Sequence, residues 1–229
     1  MIRVEQVEVS GWETAVRGMR NPMNSWAQSD SEFGCGGDSC PIDGIGLGEK
    51  DLDLMKRLAA AGSDHRKFMR YINVTMDITA PLYWWKEYDT YKVGTVANSC
   101  STMHKIHAKE FERSDFSEEH LIVDDAKTEL LSWGQETNIM VSPDNLLNII
   151  IGCLNNYRKM YLETKDKKWW WQMIQLLPSS YNQRRTVQLN YEVLRHIYHA
   201  RKAHKLDEWR ELCARIEKLP YSELITGGD

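Results

Sequence analysis

Residues 2–9, IRVEQVEV, alternate apolar and charged side chains, which is the period of a half-buried strand. Residues 13–20, ETAVRGMR, predict a short helix stopped by Asn21-Pro22, because proline cannot continue the ladder. A stretch at about 27–48 holds six of the fourteen Gly with Ser, Asp and Pro, and predicts a long loop. EKDLDLMKRLAAA (49–61) predicts an amphipathic helix closed by Gly62. RYINVTMDIT (70–79) alternates with β-branched members and predicts a strand. Pro81 then opens PLYWWKEYDTY, a helix with Pro in its first turn. Ser142-Pro143-Asp144 open a long helix to 164, with Leu146, Leu147, Ile150, Leu154, Tyr157 and Tyr161 at helical spacing. A further helix covers about 166–177 and ends before Pro178. QRRTVQL (183–189) predicts a strand, after which Asn190 caps a helix to about His204 and Asp207 caps another to about Leu219. No repeat and no low-complexity tract interrupts this order. The pattern is α+β with helices in the majority, a single domain over 1–229.

Composition narrows the class. A 26.7 kDa chain with 42% hydrophobic and 27% charged residues is neither disordered nor collagenous. The apolar run Leu146–Leu154 is broken by Asn148 and Gly152 and falls well short of the ~20 residues that span a bilayer. The start lacks a basic region followed by an apolar one, so neither a signal peptide nor a membrane partner is expected. A formal net charge of −4 disfavours wrapping of a nucleic-acid polymer but leaves room for one small phosphorylated ligand at a local basic patch. Five Cys, an odd number, fit a reduced, cytoplasmic location. Nine Trp and ten Tyr point to thick packing or subunit interfaces.

The chain has no P-loop, no G-x-G-x-x-G after a strand, no H-E-x-x-H and no G-x-S-x-G. Cys35 and Cys40 would make half of a metal site, but no second pair stands nearby at metal spacing, so no metal is expected. His104 and His107 share a helical face; they are either a ligand pair or ordinary packed and solvated histidines. The same choice holds for His196, His199 and His204. Arg184-Arg185 and the row Arg195, Arg201, Lys202, Lys205 are basic. Arg195 and Lys202 lie seven residues apart on one helix face. Facing carboxylates they would be salt bridges; facing a cleft they would bind phosphate.

Three stretches carry a resemblance. His65–Pro81 (HRKFMRYINVTMDITAP) has a histidine start, an alternating strand, Ala-Pro and then an aromatic helix. Tyr91–His104 (YKVGTVANSCSTMH) keeps an Asn and a Ser at signature spacing. Leu177–Arg201 (LPSSYNQRRTVQLNYEVLRHIYHAR) runs Leu-Pro, strand, Asn and a helix ending in Arg. In order and spacing these resemble the flavin-dependent thymidylate synthases, the ThyX family, over most of residues 49–218. The resemblance implies the ThyX-like fold, with a central antiparallel sheet, and a homotetramer whose active sites are each built from several chains.

The signature residues themselves are largely replaced. The family's Arg-His-Arg triplet stands here as Tyr91-Lys92-Val93, its N-x-R arginine as Glu192, and the Asn one helical turn later as His196. The two Glu of its His-Glu start are Arg66 and Arg70, and the Arg near the end of the signature is Met103. In the family, the triplet and the N-x-R arginine contact the flavin and its phosphates. Each charge-assisted bond to phosphate that is lost costs about 1.5–3 kcal/mol. The two charge reversals, Arg70 and Glu192, suggest a pocket rewritten rather than decayed, in which Lys92 with Arg66, Lys67 and Arg70 builds a differently placed anion site.

By resemblance, Arg201 matches the arginine that holds and activates the nucleotide base, and Ser101 positions the nucleotide; both are candidate catalytic residues. Asn98, Asn190, His196, Lys92 and Arg70 are candidates for a cofactor. Arg184, Arg20 and Asn24 join Ser101 and Arg201 as candidates for the nucleotide, the last two from the segment RGMRNPMNSW. Against this, Asn98 and Asn190 suit helix caps, Ser101 suits packing and Arg201 suits an interface salt bridge. Three functions remain open. The chain is an enzyme using FAD and a reduced folate donor for C5 methylation of a dUMP-like nucleotide. Alternatively it is a non-catalytic binder that senses or sequesters a nucleotide signal, as a viral or prophage protein would, with the ligand in an inter-subunit pocket. The third option is a structural oligomer without ligand.

Overall fold

The computed structural model describes residues 2–34, 46–123, 128–131 and 138–228. The chain runs β1 (Arg3–Ser10), α1 (Trp12–Arg20), α2 (Glu49–Ala60), a 3-10 segment (Arg66–Tyr71), β2 (Asn73–Pro81), α3 (Leu82–Tyr88), β3 (Val96–Ser99), α4 (Thr102–Lys105), β4 (Thr128–Leu131), β5 (Asn138–Val141), α5 (Pro143–Thr164), α6 (Lys167–Leu176), β6 (Asn182–Asn190), α7 (Tyr191–Arg201), α8 (Asp207–Ile216) and α9 (Glu223–Thr226). A four-stranded antiparallel sheet has the order β1-β2-β6-β3, so β1 and β3 are its edges. The expected α+β class with helices in the majority is the one observed. Among the described residues no helix is long and apolar enough to cross a membrane.

By their contacts the residues fall into two compact units. One comprises Ile2–Ile78, Asp89–Asn98 and Arg185–Asp229. Its core is the inward set of β2 (Val74, Met76, Ile78) and β6 (Val187, Leu189) with Trp12, Met55, Met69, Tyr191, Leu194 and Trp209, all buried. The entry to α1 depends on Gly11: φ is +92°, and a Cβ there would lie 1.9 Å from the Tyr71 carbonyl oxygen, so only glycine fits. Arg20 at the end of α1 is buried with Asp51 of α2, Nε to Oδ1 2.6 Å. The guanidinium also donates to the carbonyls of Ser25 and Gln28, while Asp51 accepts from the hydroxyls of Ser29 (2.5 Å) and Ser31 (2.7 Å). One ion pair thus pins the segment that leads into the Gly-rich stretch. Residues 35–45 of that stretch, with Cys35 and Cys40, lie outside the described residues.

The other unit comprises Thr79–Tyr88 and Ser99–Arg184. Its core gathers Ile106, Phe111, Phe116, Leu147, Leu154 and Met173, with α5 packed along α6. Residues 105–123 supply three of those side chains, Ile106, Phe111 and Phe116. Asn155 of α5 holds that segment by bonding both the backbone N–H (2.8 Å) and C=O (2.9 Å) of Phe111. Trp84 and Trp85 of α3 are fully buried, and the Trp85 indole donates to the Gln183 carbonyl at 2.9 Å. Ser142 caps α5 and Asp166 caps α6 through their side chains.

Four boundaries differ from expectation. The β2 strand begins at Asn73, because residues 66–71 turn as a 3-10 segment first, and Pro81 closes the strand rather than opening the helix. The helix after Asn190 stops at Arg201: Arg210 Nη1 takes the carbonyls of His204 (2.6 Å) and Lys205 (3.2 Å), which turns the chain away. Asp207 does not cap α8; Leu206 holds that position without a side-chain bond, and the Asp207 carboxylate pairs with Arg210 instead.

Candidate functional site

A cleft of about 470 Å³ opens above the first half of α7, within the size range of small-ligand sites. Two local features build it. Asn190 caps α7, its Oδ1 accepting the Val193 N–H at 3.0 Å. Gly94, at φ +78°, lets the 90–95 loop pass closely over that cap; a Cβ there would sit 3.1 Å from Val193 Cγ2 and 3.4 Å from Asn190 Nδ2. The loop therefore carries Tyr91, Lys92 and Val93 to the cleft, opposite Glu192 and His196 of α7.

Tyr91 is the hinge of this wall. Its ring meets His196 edge-on at 5.7 Å and Trp209 at 5.9 Å between centroids. Arg201 donates Nε to the Tyr91 hydroxyl at 2.8 Å and lays its guanidinium 4.7 Å from the Trp209 ring centre. Lys92 and Val93 beside it are exposed. On the helix side, Glu192 Oε1 accepts from Arg66 Nε at 3.2 Å; the two side chains are 17% and 18% exposed. Glu192 Oε2 is buried and has no hydrogen-bond partner. His199, also in the lining, has Nε2 3.1 Å from the Ile225 carbonyl, which can only accept, so that nitrogen carries the proton. Arg195 also lines the cleft, but its Nη1 is turned into the carbonyls of Leu224 (3.1 Å) and Ile225 (3.4 Å).

Of the candidate residues, Lys92 and His196 come together here, with Arg201 behind Tyr91. Asn190 stands beneath the loop as a cap. Asn98 is exposed on the edge strand β3, and Arg70 is exposed on the 3-10 segment outside this cleft. Arg20 has its donors committed to Asp51, Ser25 and Gln28, and Asn24 is an exposed left-handed residue (φ +48°) ending a turn. Ser101 and Arg184 belong to the other unit; Ser101 caps α4, its Oγ accepting from the His104 N–H at 3.1 Å. Arg185 pairs with Asp89 at 2.7 Å. The ion pair Arg66–Glu192 is the feature not foreseen from sequence. Both positions stand as departures from the family pattern, Glu192 as one of the two charge reversals, and the geometry shows that Arg66 and Glu192 meet.

Among the described residues no cluster of three or more His, Cys, Asp or Glu could hold a metal ion. Burial, then Glu217, push the Cys213 thiol up to about 11.

No protein-family model matches the chain, and no curated protein matches it. Solved structures do. A flavin-dependent thymidylate synthase ThyX from Helicobacter pylori, complexed with FAD and dUMP, superposes with a TM-score of 0.65 at 17% identity, covering 98% of this chain and 97% of that one. A second structure of the Helicobacter pylori enzyme with FAD and dUMP gives 0.64 at 15% identity, over 99% and 97%. A UMP/dUMP methylase, PolB from Streptomyces cacaoi, bound with 5-Br dUMP, gives 0.58 at 16% identity, over 100% and 96%.

Proposed function

On this ThyX-like fold, we propose that the chain binds a phosphorylated nucleotide in the cleft above α7 and does not use it in flavin chemistry. The observation that carries this reading is the composition of the cleft: one exposed lysine, two imidazoles, an aromatic wall and a carboxylate with an unpartnered oxygen. Lys92 and a histidine suit one phosphate, and Tyr91 suits the face of a base. The solved structures that share the fold hold dUMP or 5-Br dUMP by their descriptions, which supports a nucleotide as the ligand.

FAD does not fit this cleft in the family's manner. Where the resemblance aligns guanidinium groups, this chain has Tyr91, Val93 and Glu192, with Lys92 the only cation of the four. A flavin diphosphate placed there would meet the half-buried Glu192 carboxylate, and like charges in such a site repel. No step is therefore assigned through a flavin. The second reading, C5 methylation of a dUMP-like base with FAD and a reduced folate donor, draws on Arg201, held in one place by Tyr91 and Trp209. In both readings we take the working assembly to be a homotetramer in which a neighbouring chain completes the pocket.

The test is an absorbance and mass spectrum of small molecules released by heat from the purified protein. Released nucleotide without flavin bands supports the binder. Flavin bands would overturn it in favour of the methylase. A protein empty of both that also fails to bind added mononucleotides would remove the ligand reading altogether.

A further inference from the structure

A second cavity, of about 430 Å³, is lined by α1 on one side and by the segment 21–33 on the other. Its apolar lining is Val16, which is buried, Phe33, which is partly buried, and Trp26, which leaves 50% of its surface exposed. The polar groups around them are already used within the chain. The Trp26 indole N–H donates to Asn21 Oδ1 at 2.8 Å, and Arg20 donates to Asp51 and to the carbonyls of Ser25 and Gln28. The hydroxyls of Ser29 and Ser31 donate to Asp51 as well. The same bonds tie the 25–31 segment to the ends of α1 and α2, so the cavity is preformed. Exposed aromatic surface in a preformed apolar cavity is the usual character of a small-molecule site.

We propose that this cavity takes a free amino acid with an aromatic side chain. Two charged side chains in its lining, Glu13 and Arg17, are exposed and not committed to other groups. They stand four positions apart on α1, the spacing at which side chains share a helix face, yet neither is in an ion pair among the described residues. One carboxylate and one guanidinium beside an apolar slot call for a ligand with one ammonium, one carboxylate and one apolar group close together. A free amino acid carries all three on a single carbon. Its α-carboxylate suits the Arg17 fork, its α-ammonium suits Glu13, and a ring suits the aromatic surfaces of Trp26 and Phe33. A mononucleotide would bring a dianion beside Glu13 and no cation for it, which separates this cavity from the cleft above α7.

The experiment is calorimetric titration of the full-length wild-type protein with four probes at one pH and salt concentration. They are L-phenylalanine, L-alanine (both charges, no ring), N-acetyl-L-phenylalanine (no ammonium) and L-phenylalaninamide (no carboxylate). L-phenylalanine is expected to bind at least about tenfold tighter than each of the other three. Glu13→Gln is expected to erase its advantage over the acetyl compound, and Arg17→Gln its advantage over the amide, each leaving the other ratio in place. The wild-type series needs no variant to fold, and both variants replace exposed side chains. Absence of saturable L-phenylalanine binding overturns the proposal, and so does equal affinity for L-alanine or for either blocked compound. Ratios unchanged in both variants would put the amino acid elsewhere on the chain and overturn this site.

Discussion

Reversing the ion pair that underlies the cleft gives a quantitative test. Arg66 and Glu192 are 126 positions apart in sequence, joined at 3.2 Å, and each is less than a fifth exposed. Breaking a fully buried pair costs about 3–5 kcal/mol, whereas exposed pairs are worth about 0–1. A pair at this depth lies between, so Arg66→Ala is expected to cost about 2 kcal/mol. Most of that comes from stranding the Glu192 carboxylate, which already has one oxygen without a partner. Glu192→Ala removes that oxygen with the pair and is expected to cost less than half as much. The swapped double variant Arg66→Glu, Glu192→Arg keeps a pair and is expected to stay within about 1 kcal/mol of wild type. The assay is urea unfolding of the four proteins with the slope held common, supported by thermal melts. For a chain of this size about 2 kcal/mol is about 4–8 °C. Two results would refute the reasoning. One is an Arg66→Ala cost no greater than that of Glu192→Ala. The other is a swapped variant as unstable as the two single losses added together.

Other expectations follow from the same contacts. Gly11→Ala should cost at least about 2 kcal/mol because φ +92° and the Tyr71 carbonyl both exclude a Cβ, whereas Gly62→Ala, at φ +101° but in open space, should cost about 1; melting temperatures separate them. Burial alone would raise the Asp51 carboxyl, but the hydrogen bonds from Ser29, Ser31 and Arg20 outweigh it and hold the group below its ordinary value of 3.8. That stability is therefore present above the unfolded value and is lost as pH falls through the lower folded one. Urea unfolding between pH 6 and 3 should show a fall at the acid end that Asp51→Asn flattens. Thiol labelling followed by peptide mapping should modify exposed Cys100 and Cys153 within minutes. The buried Cys213, with its thiol pushed up to about 11, should react only on unfolding. Equal rates at the three sites would contradict the packing of α8.

Most elements were legible because their signals are local. The alternation of IRVEQVEV, the Ser142-Pro143-Asp144 start and the Asn190 cap each depend on a few neighbouring residues. The misplaced ends of α7 and α8 depend on Arg210 reaching back to His204 and Lys205, a contact that periodicity does not encode. The site was half legible. Tyr91, Lys92, Glu192 and His196 were each picked out as departures from a family pattern, so their positions were available. What they do together was not. That Arg66 and Glu192 exchange charge as a pair, that Gly94 brings the loop onto α7 and that one carboxylate oxygen is stranded are facts of three-dimensional distance. Arg20 shows the converse. As a basic residue in a polar segment it read as a ligand contact, yet its guanidinium is committed to Asp51 and to two carbonyls, a use that composition cannot reveal.

The central claim is that the cleft above α7 holds a phosphorylated nucleotide by way of Lys92. The most direct measurement is the affinity of dUMP and of deoxyuridine for wild type and for Lys92→Ala, by calorimetry at low and moderate salt. The account predicts that wild type prefers dUMP over deoxyuridine at least about tenfold, and that Lys92→Ala removes most of that preference and its salt dependence. A dUMP-to-deoxyuridine ratio that is the same in both proteins would contradict it.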